Sequence, residues 1–336
     1  MGRPRRGKSV FVIPAAVLLI GMVVASSGCF EGQKQRSVSA PQAAAPGTSL
    51  PDASTPPNGR LSVFVSIVPQ AYFLERIGAE RVTVEVMVKP GQDPHTFEPT
   101  PQQMARLAKA DAFFRIGVEF ENTLVPRIQS TMKELVVVDC RKGIHLRQME
   151  TRGHDEEQKT GQEHPAGGHG EGDHEGTDPH IWLSVRNAIL ISGTMHEALV
   201  RLDPEGKEIY DRGYRGLVED LEALDQRIAR ILEPVKGEPL FVFHPSFGYF
   251  AEDYGLEQIA VETGGSEPSA RQLARLIAQA ESSGVRVIFV QPQFSRKSAE
   301  TIASEIGATV VPIDPLARDY IDNFEKMARA VEEGLR

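Results

Sequence analysis

Residues 217–232 read LVEDLEALDQRIARIL. Leu217, Leu221, Leu224, Ile228 and Ile231 recur at spacings of three and four with charged residues between them. That is the period of one apolar face on a helix. The same rhythm runs back through Leu202, Leu199, Ile191 and Ile189 to Val185, nearly 50 residues in all. Asp203-Pro204 marks a break and restart, because proline suits a first helical turn. An uninterrupted helix of roughly 25 residues spans about 38 Å at 1.5 Å per residue. A rod of that length can join two lobes.

The flanking sequence has a different rhythm. Upstream, strand patterns at 61–68, 82–88, 112–117 and 135–140 alternate with helical runs at 69–77, 101–110 and 121–132. Downstream, strands at 240–244, 258–262, 285–291 and 309–313 alternate with helices, the last at 320–335. Such alternation implies parallel sheets with right-handed crossovers. The expected fold is α/β: two lobes, each with a four-stranded mainly parallel sheet flanked by helices, joined by a long rigid helix. Ligand sites in such folds lie at the C-terminal ends of strands, in the crevice between lobes.

The chain has 336 residues, 40% hydrophobic and 25% charged, ordinary for a globular protein of about two domains. Its net charge of −9 excludes nucleic acid as a partner, since a phosphate backbone needs a basic face. Arg3, Arg5, Arg6 and Lys8 precede an apolar run from Val10 to Ala25, the layout of a secretory signal and short for a spanning helix. Ser26-Ser27-Gly28 before Cys29 looks like a bacterial lipobox, with Ser26 departing from the usual aliphatic residue. Cys29 is then the lipidated mature N-terminus. Cys140 ends a strand pattern and reads as an inert core thiol. The expected organisation is a signal peptide (1–28), a lipid-anchored flexible tether (29–59) rich in Pro, Ala, Ser and Gly, an N-terminal lobe (60–145), a histidine-rich acidic loop (146–178), a connecting helical segment (179–235) and a C-terminal lobe (236–336).

Three histidines sit on stiff local frames spread over the whole chain. His95 follows the second strand in a Gly91/Pro94 turn, His180 precedes the long helical segment, and His244 ends the first strand of the second lobe. A lone histidine near a strand end is often structural, but three in equivalent places have the makings of a metal site. A fourth group would close it. Asp314 ends the last strand, though Asp-Pro also favours a turn or a cap, and water competes for the same position. His154, His164, His169 and His174 lie in the acidic loop, where the composition suggests weak accessory metal contact. Ordering mobile histidines on each capture is entropically costly, so tight binding belongs to the crevice. His145 reads as a loop residue and His196 as a helix-surface or packing residue.

Residues 90–100 (PGQDPHTFEPT), 178–183 (DPHIWL) and 243–250 (FHPSFGYF) resemble the three signature segments of the metal-binding lipoproteins of bacterial ABC transporters, the solute-binding proteins for zinc and manganese. Glu267-Pro268-Ser269 and Val290-Gln291-Pro292-Gln293-Phe294 are similar to further segments of the family. The resemblance covers about 60–336 and implies two α/β lobes joined by a rigid helix with metal between them. It implies His95, His180 and His244 as ligands, and matches Asp314 to a carboxylate ligand of manganese members. Those members usually carry a carboxylate where this chain has His244. Three imidazoles favour zinc, since oxygen-rich sets suit manganese. Pro94 stands where some zinc members have an acidic residue.

The function so implied is extracytoplasmic high-affinity Zn2+ capture, as a monomer, with delivery to an ABC permease and its ATPase complex. Alternatives are a manganese- or iron-binding member of the same family and a metal-containing adhesin. A zinc hydrolase also uses three histidines and an open position. No His-Glu-x-x-His, Gly-x-Ser-x-Gly or phosphate-binding glycine loop is present, so the chain reads as a carrier rather than an enzyme.

Overall fold

The computed structural model describes residues 59–149, 176–262 and 270–336. The signal segment, Cys29, the tether, His154, His164, His169, His174 and residues 267–269 lie outside the described residues.

The first lobe is built from β1 (Leu61–Val65), α1 (Val68–Gly78), β2 (Val82–Val86), α2 (Pro101–Leu107), β3 (Ala112–Arg115), α3 (Glu121–Thr131) and β4 (Val136–Asp139). Its strands form one parallel sheet in the order β2-β1-β3-β4. Two helices follow, α4 (Val185–Leu202) and α5 (Lys207–Leu232). The second lobe comprises β5 (Pro239–Val242), α6 (Gly248–Tyr254), β6 (Glu257–Ala260), α7 (Ala270–Ser282), β7 (Val287–Val290), α8 (Arg296–Glu305), β8 (Thr309–Pro312) and α9 (Tyr320–Leu335). Its sheet is also parallel and repeats the plan, β6-β5-β7-β8. In each sheet the order in which strands are added switches sides between the neighbouring β1 and β3, or β5 and β7, the kind of switch point at which loops leaving the strands open into a crevice.

Local chemistry sets the element ends. Thr100 caps α2: its hydroxyl accepts from Gln103 N–H at 3.2 Å, the Gln103 side chain reaches back to Thr100 N–H at 3.0 Å, and Pro101 takes the first turn. Ser184 caps α4 by accepting from Asn187 N–H at 3.1 Å. The expected break at Asp203-Pro204 separates α4 from α5. Asp203 is stapled there by Arg81, which donates to both its oxygens at 2.7 and 2.9 Å, and by the Tyr210 hydroxyl at 2.6 Å.

α5 has 26 residues and buries Tyr210, Leu217, Leu221, Leu224, Ile228 and Leu232. Each aliphatic member stabilises the fold by roughly 1.5–3 kcal/mol relative to an exposed one. These residues meet α4, α1 of the first lobe and α9 of the second. One hydrophobic core therefore runs from β1 and β3 through α4 and α5 to Phe289, Phe324 and Val331. The second sheet has two faces: Leu240, Val242 and Phe289 join that shared core, while Phe241, Ile288 and Val290 pack on Ala299, Ile302 and Ala303 of α8. This is the period-two alternation of a strand buried on both sides.

Candidate metal centre

His95 lies beyond β2 on a chain that stays tied to the sheet after the strand ends. Met87 N–H donates to Val65 O at 2.9 Å and Val88 N–H to Ser66 O at 3.0 Å. Gly91 then turns the chain at φ +81°, a conformation that favours glycine. Asp93 shapes the next turn, accepting from His95 N–H at 2.9 Å and from the Thr96 hydroxyl at 3.2 Å. His180 opens the buried turn Ile181–Leu183 that leads into α4. The Trp182 indole N–H donates to Pro315 O at 2.9 Å, and the Tyr320 hydroxyl donates to Trp182 O at 2.7 Å. His244 stands two residues past β5. The Gln291 side chain beyond β7 donates to His244 O at 2.9 Å and to the Ser246 hydroxyl at 2.9 Å.

These three loops bring three imidazoles together with their planes steeply inclined and their Nε2 atoms converging. His95 Nε2 is 3.3 Å from His180 Nε2 and 3.1 Å from His244 Nε2. They form the one group of three His, Cys, Asp or Glu side chains with converging ligand atoms among the described residues. The other ring nitrogens face carboxylates. His180 Nδ1 is 2.7 Å from Asp178 Oδ1, His244 Nδ1 is 3.2 Å from Glu262 Oε2, and His95 Nδ1 is 3.7 Å from Glu119 Oε2. Asp178 and Glu262 lie within hydrogen-bond distance of Nδ1 on His180 and His244; with those Nδ1–H groups donating there, the Nε2 lone pairs of the two rings point inward. Two of the carboxylates, Asp178 and Glu262, are buried; Glu119 is 68% exposed.

Burial sets the protonation state. His180 and His244 are 3% and 6% exposed, while the His95 side chain is 21% exposed and forms the solvent side of the cluster. Desolvation is the largest influence on each ring and lowers its pKa below the ordinary value; a neighbouring imidazole pushes each the same way. The carboxylates oppose this in part. Phe294 stacks on His244 with centroids 4.5 Å apart, and Trp182 lies 5.3 Å from His180, so aromatic walls back two of the rings.

Asp314 is not in this group. Its Oδ1 accepts from Leu316 N–H at 3.0 Å and from the Gln293 side chain at 3.2 Å, the turn-capping arrangement that Asp-Pro favours. His196 bonds Asp211 at 2.8 Å and stacks on Tyr214 between α4 and α5. His145 lines a separate open cleft of about 680 Å³ beside Arg141 and Glu197, where none of the three clustered histidines lies. Volume is a poor guide to a single-ion site, which is defined by converging donors. Cys140 is buried, and burial raises its thiol pKa. Sequence reading did not single out Asp178, Glu262 and Glu119 as partners of the rings. Only Asp178 carried a local signal, two residues before its histidine.

The family model described as zinc-uptake complex component A, periplasmic, matches residues 63–334. The zinc-binding lipoprotein AdcA of Streptococcus pneumoniae serotype 4 is 27% identical over 82% of this chain, which spans only 56% of that protein. The high-affinity zinc uptake system protein ZnuA of Bacillus subtilis strain 168 is 32% identical over 82% of this chain and 88% of its own length. A crystal structure of a ZnuA deletion mutant with zinc bound aligns with a TM-score of 0.72 at 37% identity, over 82% of this chain and 98% of that one. The match across nearly the whole of both lobes, at parallel sheets of the same plan, means that the chain belongs to the family of the periplasmic zinc-uptake component ZnuA.

Proposed function

We propose that this chain captures Zn2+ between its two lobes, outside the cytoplasm, and delivers it to an ABC-type permease and its ATPase. The observation that carries this reading is the convergence of the three Nε2 atoms at 3.1 and 3.3 Å. A tetrahedron with zinc–nitrogen bonds of about 2.0–2.1 Å has nitrogen–nitrogen edges of about 3.3 Å. Inward lone pairs at that spacing repel one another unless a cation lies among them. His95, His180 and His244 are the ligands in this reading, and three imidazoles suit zinc better than manganese. The fourth position is left to water, since Asp314, whose Oδ1 accepts from Gln293 and Leu316, is not among the side chains whose ligand atoms converge.

The ion is cargo, and the chain's own groups prepare its place. Lowered pKa values keep the rings neutral at pH 7, so capture displaces few protons from them. Asp178 and Glu262 orient two rings from buried positions. His95, less buried and with the longest carboxylate distance, is where the ion enters and leaves. The organisation read from sequence completes the proposal. Residues 1–28 direct export, lipidated Cys29 anchors the chain, residues 29–59 form the tether, and His154, His164, His169 and His174 contribute weak accessory sites. Family membership supports a carrier rather than an enzyme.

Competitive zinc and manganese titration of residues 60–336 tests this, beside a His95→Ala, His180→Ala, His244→Ala variant with residues 146–178 intact. Tight zinc binding is expected to vanish in the variant while weak sites survive. Persistent tight binding in the variant would sink the three-histidine assignment.

A further inference from the structure

The chain departs after Met149 and returns at Gly176 through a paired stem. Met149 N–H donates to Gly176 O at 2.7 Å, Asp178 N–H donates to Arg147 O at 2.8 Å, and Gln148 bridges Thr177 in antiparallel fashion. The returning side of this stem ends at Asp178. Its Oδ1 meets His180 twice, accepting from the backbone N–H at 3.0 Å and facing Nδ1 at 2.7 Å. The ring of His180 is therefore aimed from the stem.

One side chain of the second lobe grips both sides of that stem. The Tyr249 hydroxyl, on α6, accepts from Arg147 N–H at 2.9 Å and donates to Asp178 O at 3.1 Å. The ring is 4% exposed, and the Arg147 guanidinium lies over its face at 5.6 Å. Arg147 Nε also pairs with Glu252 Oε2 at 3.0 Å. The packing is tight at the preceding residue: a Cβ on Gly248 would collide with the Arg147 guanidinium and fall 2.9 Å from Asp178 Oδ2. Burial pushes the Tyr249 phenol up to about 12, so it stays a donor. The stem's own Asp178 N–H to Arg147 O bond sets its width, and the hydroxyl, accepting from one side and donating to the other, anchors that pair to α6 so that Asp178 keeps its place beside His180.

We propose that Tyr249 is a positioning residue for the metal centre, its hydroxyl holding the Arg147 and Asp178 segments together so that the Asp178 carboxylate aims His180 Nε2 at the ion. This rests on the reading of His180 as a ligand. Loss of an outer partner of a metal-bound histidine typically lowers affinity 10–100-fold. Tyr249 acts one bond further out, so the lower end applies.

The test uses the full chain carrying Tyr249→Phe, with Tyr254→Phe as the control. Tyr254 lies on the same helix and donates to Asp225 at 2.9 Å, a bond that does not touch Asp178. Two readouts are taken: zinc affinity against a competing chelator, and the 15N shifts of the His180 ring in zinc-free protein. Tyr249→Phe is expected to weaken zinc about tenfold and to move the His180 signals, while Tyr254→Phe, which also removes a hydroxyl hydrogen bond from α6, does neither. Equal zinc affinities and unmoved ring signals in Tyr249→Phe would overturn the proposal. If His180→Ala leaves zinc affinity unchanged, the ligand reading fails instead. The ring signals still report whether Tyr249 holds Asp178 against His180.

Discussion

At the scale of single residues, the three histidines differ in how firmly they are held, but burial treats their protons alike. Each pKa lies below the ordinary 6.5, with desolvation the first cause. The native rings thus stay neutral at a pH where the unfolded chain has begun to take up protons. Stability of the metal-free protein is full above about 6.5 and falls as the pH drops toward the lowered values, because the unfolded state binds more protons there. Zinc competes with protons only below those same values. Zinc affinity is therefore expected to be nearly flat from pH 8 to about 6.5 and to fall ever more steeply below, as up to three rings protonate. Isothermal titration across that range checks it. A fall of one decade per pH unit already between pH 8 and 7 would mean that the ligands are not these buried rings.

Elements were more legible in the sequence than their ends. The eight strands follow from apolar runs, yet the 82–88 run stops as β2 at Val86 and the 240–244 run stops as β5 at Val242. Hydrophobicity continues past the ladder because Met87, Val88 and Phe243 are buried in the loops that reach the crevice. The helical break at Asp203-Pro204 was visible, while its anchors Arg81 and Tyr210 were not, one of them lying 122 residues away. The same limit hid Glu262 from His244. It also left Asp314 open, since an aspartate at a strand end reads alike whether it caps a turn or binds an ion. Gly213 is another position that only the packing explains. A Cβ there would lie 2.5 Å from Ile77 O and 2.6 Å from Arg76 O, both backbone atoms of α1 that cannot swing aside. Gly213→Ala is accordingly expected to destabilise the protein by about 1–3 kcal/mol through overpacking, despite the better helix propensity of alanine. Chemical denaturation measures this. A gain in stability would mean that α5 and α1 approach less closely than described.

For the whole molecule, the question is whether zinc capture closes two lobes about a hinge. The shared core argues against it. Tyr320 at the start of α9, in the second lobe, is 1% exposed and packs edge-on against Phe73 of α1, in the first lobe, with centroids 4.8 Å apart. Tyr72 stacks on Tyr320 at 6.4 Å, and Arg318 pairs with Glu75 beside them at 2.5 Å. α5 lies along both lobes and is itself unbroken over 26 residues. A rigid-body opening that bared Phe73 and Tyr320 would cost on the order of 3–6 kcal/mol from these two rings alone. That leaves the open form at well under a hundredth of the population without zinc, too rare to be the resting state. The part freest to respond is the stretch 89–96 around His95, the least buried of the three histidines, whereas the turn after His180 is part of the shared core through Ile181, Trp182 and Leu183. Zinc-free and zinc-loaded crystals are expected to superpose within about 1 Å over Cα atoms, with differences concentrated in the stretch around His95. Solution scattering should give the same radius of gyration in both states. A rotation that parts Phe73 from Tyr320 on zinc removal would show that the long helix is a hinge and not a strut.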